Sequence, residues 1–138
     1  MNFGKVYYSD YPDNPPAWYW IQRLHDACVV SVESFDFPFD YNKFVGEKSR
    51  CTRNLLRLKI DAEGAMFDTN VKEIRFINYK ILSENISLEG RNKMWWLADR
   101  LIDHGDSFTL EIDLHDFDSD PEEFTFIIKF ERAEVDRN

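Results

Sequence analysis

The run Met94-Trp95-Trp96-Leu97-Ala98-Asp99-Arg100-Leu101-Ile102-Asp103 decides the fold. Its residues Met94, Leu97, Ala98, Leu101 and Ile102 fall at i, i+3, i+4, i+7 and i+8. That spacing is the one-sided stripe of an amphipathic helix. Gly105 follows as a natural stop. A strand is the alternative reading of the same ten residues. Read as a helix, the run lays a cover on a chain that is otherwise rich in strands.

Downstream, Phe108, Leu110, Ile112 and Leu114 alternate with Thr109, Glu111, Asp113 and His115. Phe124, Phe126, Ile128 and Phe130 alternate in the same way. A period of two is the mark of a half-buried strand. The link from Asp116 to Glu123 is short enough for an antiparallel hairpin.

Upstream, Leu56, Leu58 and Ile60 alternate with Arg57 and Lys59, and Asp61 to Gly64 is turn-like. Ile74, Phe76, Ile77, Tyr79 and Ile81 make a further strand with a register shift. Cys28, Val30 and Val32 continue into Phe35, Phe37 and Phe39 one register over, which predicts a bulge near Glu33-Ser34. Pro38 puts the far end of that strand at a sheet edge. Residues 40–51 and 83–93 read as loops. Asn14-Pro15-Pro16 reads as a helix start, followed by Trp18, Ile21, Leu24 and Cys28 on one face and an end near Asp26. The expectation is a single α+β domain over 1–138: a mostly antiparallel sheet of about five or more strands under one or two helices.

Composition narrows the function classes. The 138 residues carry 17 basic and 26 acidic side chains, a net charge of −9. Residues 99–138 hold 13 acids and four bases, so the last stretch carries all of it. Lys43 to Lys59 forms a modest basic segment. An acidic chain lacks the footprint that phosphate backbones require, which disfavours nucleic acid. No apolar run approaches a membrane span. The N-terminus lacks the basic-then-apolar order of a secretory signal. Cys28 and Cys51 lie in no CxxC pair, as expected for two thiols in a reducing cytoplasm. No cofactor is implied.

Chemistry-bearing clusters are few. Asp116-Phe117-Asp118-Ser119-Asp120 sets carboxylates at every second residue, an arrangement that hard cations favour. The EF-hand pattern fails, because Pro121 and Ile127 stand where Gly and Glu are needed. A solvated turn is the plainer reading. His25, His104 and His115 each lie beside an Asp, but on different elements. Cys28 sits on the apolar stripe, where a thiol is inert, whereas Cys51 lies among Lys48, Arg50 and Arg53, which favour a thiolate. Tyr7, Tyr8, Tyr11, Trp18, Tyr19 and Trp20 form the densest aromatic cluster. On a helix, Trp18 and Trp20 point to different faces, so one packs inward and the other is either covered by the N-terminal segment or exposed for a partner.

The stretch Leu24-His25-Asp26-Ala27-Cys28-Val29-Val30-Ser31-Val32, followed by Leu56-Arg57-Leu58-Lys59-Ile60-Asp61, resembles small bacterial proteins in which such a step leads into a strand. Some of these are immunity proteins of toxin systems, others uncharacterised. The resemblance implies binding and neutralising a toxin, and names no catalytic residue. An acidic surface suits a basic toxin, because complementary charge steers the encounter.

The leading expectation is a non-enzymatic cytoplasmic protein-binding module with a basic partner. Its contact candidates are Glu111, Asp113, Asp116, Asp118 and Asp120, with Tyr8, Tyr11 or Trp20 as anchors. Two alternatives stand beside it: a metal-dependent enzyme or calcium-binding module using the 113–123 segment, and a structural subunit of a homo-oligomer.

Overall fold

The computed structural model describes residues 14–21, 23–35, 54–83, 88, 91, 93–118 and 122–137. Among them there is no helix; the fold is all-β, one eight-stranded antiparallel sheet. The strands are β1 (Cys28–Phe35), β2 (Leu55–Asp61), β3 (Val71–Ile77), β4 (Lys80–Ile81), β5 (Met94–Asp103), β6 (Phe108–His115), β7 (Glu123–Phe130) and β8 (Arg132–Arg137). Their order is β4-β7-β6-β5-β1-β2-β3-β8. The α+β expectation is therefore corrected.

The decisive run is β5, a strand and not a covering helix. Trp96 pairs with Leu114, Ala98 with Asp113 and Asp99 with Ile112, so a bulge at Leu97 resets the register. Cross-strand partners share a face. Met94, Trp96, Asp99 and Leu101 thus point to the interior alongside Leu114, Ile112 and Leu110. An aspartate at an interior position, plus one extra residue, hides the period of two. What remains visible is a spacing that mimics a helix.

The segment 14–27 is not a helix either. It is a string of tight turns, with Tyr19 N–H on Pro16 O (2.9 Å), Arg23 N–H on Trp20 O (3.2 Å) and Ala27 N–H on Leu24 O (2.9 Å). Ile21 (φ 20°) and Asp26 (φ 67°) leave the right-handed region, which breaks any helical run. The turns let Trp18 and Trp20 lie together, with ring centroids 6.0 Å apart, rather than on opposed faces. The bulge in β1 falls between Val29 and Ser31, leaving Val30 exposed, and not at Glu33-Ser34. The predicted continuation to Phe39 and the loop 40–51 lie outside the described residues.

The two ends of the sheet meet. Glu73 to Ile77 of β3 pair with Asp136 to Arg132 of β8, and Lys80-Ile81 of β4 with Lys129-Ile128 of β7, all in one unshifted register. Only Asn78 (φ 54°) and Tyr79 interrupt the first chain, and Glu131 the second; Glu131 N–H bonds Ile77 O at 3.0 Å. These are one long ladder, so the sheet closes on itself as a strongly sheared barrel. Inward residues fill it: Leu58, Ile74, Phe76, Met94, Trp96, Leu101, Ile112, Phe126, Ile128 and Phe130 are all essentially inaccessible. β8 alternates Ala133 and Val135 with charged residues.

The ring is uneven. β1 meets β5 only at Cys28↔Trp95 and Val29↔Met94, extended by Asp26 N–H on Trp96 O and Trp96 N–H on Ala27 O (both 2.8 Å). The 14–27 segment runs straight into this narrow junction.

Candidate functional site

Two polar centres stand out against the apolar barrel. The first is buried. Asp99 is 2% exposed and faces the interior from β5. Its Oδ1 accepts the Tyr19 hydroxyl, and its Oδ2 accepts the indole N–H groups of Trp20 (3.0 Å) and Trp96 (2.8 Å). A carboxylate costs a great deal to bury without donors, and here the aromatic residues supply them. Trp20, expected as a contact anchor, is 4% exposed and committed to Asp99. Trp18 packs edge-on to Phe108 (5.5 Å) and Phe130 (5.8 Å). Sequence reasoning missed Asp99; the excess of Trp and Tyr was its only trace.

The second centre is the β6–β7 hairpin. Asp116 N–H bonds Glu122 O at 2.7 Å and closes the ladder beyond the pair His115↔Glu123. The Asp116 carboxylate is buried. One oxygen takes Arg91 Nη1 at 2.8 Å and the other takes the Asp118 backbone N–H at 3.1 Å. Arg91 in turn lies over the Phe124 ring at 4.6 Å, which fixes it by cation–π attraction. His115 is buried. Its Nε2 meets Glu122 Oε1 at 3.0 Å, and its ring stacks on Phe117 at 3.9 Å.

Phe117 rides on that platform with 61% of its surface exposed. Asp118, Glu122 and Glu123 are exposed around it. Burying such an aromatic is worth roughly 1.5–3 kcal/mol, so leaving it in water is a cost a partner could recover. The hairpin therefore presents an exposed aromatic stacked on a buried histidine, with exposed acidic residues on the same hairpin.

Of the other contact candidates, Glu111 pairs with Arg100 Nε at 2.8 Å, and Asp113 accepts Thr125 Oγ1 at 2.7 Å with Arg100 3.6 Å away. Both lie on the outer face of β6, the face that also carries His115. Tyr8, Tyr11, Asp120 and Cys51 fall outside the described residues. His104 bonds Thr109 at 2.8 Å, and His25 Nδ1 lies 3.2 Å from the Asp26 carboxylate without forming a hydrogen bond, so the histidines sit in separate local settings. Among the described residues no three His, Cys, Asp or Glu side chains converge as a metal site. Nor is any helix there long and apolar enough to cross a membrane.

Burial pushes the Cys28 thiol up; Asp61 adds to the shift, while Lys93 and a hydrogen bond from the Met94 backbone oppose it. A raised pKa withholds the thiolate, the reactive form. Alkylation at pH 8 followed by peptide mass spectrometry should leave Cys28 mostly unmodified in the native protein and fully modified in denaturant. Equal labelling in both would contradict this placement.

In comparison with known proteins, no family model, no curated protein and no solved structure matches this chain.

Proposed function

We propose that the chain is a non-enzymatic binding module that docks a basic protein through the β6–β7 hairpin, as an immunity protein neutralising a basic toxin would. The observation that carries this reading is Phe117, exposed and stacked on buried His115 next to the Arg91-paired Asp116, with Asp118, Glu122 and Glu123 exposed on the same hairpin. An aromatic anchor supplies binding energy, and the acidic rim supplies steering and partner choice. The overall charge of −9 extends the attraction beyond the hairpin.

Selection from a displayed random-peptide library, with kinetics measured at low and high salt, tests it. Enriched binders should be Lys- or Arg-rich with an apolar pocket-forming residue. F117A should weaken them about tenfold or more, mainly through faster dissociation. The double variant D118K/E122K should slow association and flatten the salt dependence. Binders without basic residues, or binding indifferent to both variants, would sink the proposal.

A further inference from the structure

A cleft of about 670 Å³ opens between the 14–27 segment and the end of the β2–β3 connection. It shares no residue with the Phe117 hairpin. Arg23 and Arg137 stand on it, with Tyr19, Asp68, Thr69 and Asn70. The size lies within the range of small-molecule sites.

The two arginines differ from four of the other five described; Arg132, exposed at the start of β8, lies off this cleft. Arg57, Arg75, Arg91 and Arg100 are each ion-paired with carboxylates. Arg23 and Arg137 instead each donate to a backbone carbonyl: Arg23 Nη1 to Asp68 O at 3.4 Å, and Arg137 Nη2 to Trp18 O at 3.2 Å. Among the described residues neither forms an ion pair. In a chain of charge −9, two arginines without carboxylate partners among the described residues stand together on one cleft. Each carbonyl bond holds a guanidinium while leaving it further N–H donors. The two come from different walls, Arg137 from β8 and Arg23 from the 14–27 turns. Both offer guanidinium donors to an anion in the cleft. Asp68 contributes an exposed carboxylate to the same cleft, which penalises a polyanion and rewards a cationic group.

We propose that this cleft binds a small zwitterionic phosphate ester, its phosphate on Arg23 and Arg137 and its ammonium on Asp68. The probes are phosphoethanolamine and inorganic phosphate, titrated into the whole protein by calorimetry at fixed ionic strength. Phosphoethanolamine should saturate one site, about tenfold more tightly than phosphate, the difference of one charge-assisted bond. R23A and R137A should each weaken both probes about tenfold. D68N should erase the preference for phosphoethanolamine and leave phosphate binding no weaker. All three side chains are exposed, so folding should survive, as circular dichroism would verify. Absence of saturation by phosphoethanolamine, or affinity unchanged in R23A and R137A, overturns the proposal. A D68N variant that keeps the preference overturns the assignment of the ammonium.

Discussion

Replacing Asp99 by alanine is expected to cost about 3–5 kcal/mol of folding stability, because it strands three buried donors at once. The Tyr19 hydroxyl and the Trp20 and Trp96 indoles all end on this carboxylate. None of them has water nearby to turn to, since Tyr19, Trp20 and Trp96 are 7%, 4% and 0% exposed. Domains of this size have only about 5–15 kcal/mol in total, so the alanine variant should be near the edge of folding. D99N is the informative companion. Its amide oxygen can still accept both indoles at the Oδ2 position, and its NH2 group then donates to the Tyr19 oxygen once that hydroxyl turns its proton away. The loss should be about half that of D99A. Chemical denaturation followed by tryptophan fluorescence measures both. If D99A lay within about 1 kcal/mol of the parent, the carboxylate would not be what holds the 14–27 segment to the barrel.

The second large effect belongs to Arg75 on the outer face of β3. Its Nη1 and Nη2 grip both oxygens of Asp136 at 2.9 Å, Nη1 also meets Glu73, and Nε lies 3.4 Å from Glu134. R75A should cost about 2–3 kcal/mol at pH 7, less than for a fully buried pair because the carboxylates left behind are partly in water. The pH dependence carries a sign. Hydrogen bonding from Arg75 holds the Asp136 carboxyl below its ordinary value near 3.8, against the opposing effect of burial; the charges of Arg75 and Lys72 add to the lowering. A depressed carboxyl stabilises the fold above its unfolded pKa, and that contribution is lost as pH falls through the lower, folded value. The parent should therefore lose stability on acidification below about pH 4, and R75A should lose less over the same window. Identical acid limbs in stability against pH would exclude Arg75 as the cause.

The parts of this fold that are legible in sequence are those where alternation is unbroken. Phe108 to Leu114 and Phe124 to Phe130 announce β6, β7 and their hairpin, because every inward position is apolar. β5 is not legible because its third inward residue is Asp99 and an extra residue sits at Leu97. The 14–27 turns are not legible because Pro15-Pro16 and the Trp18, Ile21, Leu24 spacing also suit a helix. Closure depends on pairing 71–81 with 128–137, and local pattern says nothing about which strands meet. The acidic hairpin was visible as a charge run. That Asp116 would be internalised by Arg91, leaving Phe117 as the exposed feature, depends on a partner 25 residues away.

The narrow β1–β5 junction bears on how the native barrel breathes. With β3–β8 and β4–β7 taken as the one ladder they form, every other ladder in the ring runs over five or more residue pairs, whereas here two residue pairs and their flanking amides hold the circle shut. Local opening follows the lowest-cost line, so amide exchange at Asp26 and Trp96 should report a transient slit rather than global unfolding. The bonds from Tyr19 and Trp20 to Asp99 cross that same line, as a clasp crosses a seam. The barrel is thus less a rigid cylinder than a cuff, fastened at one place by the turns that precede its first strand.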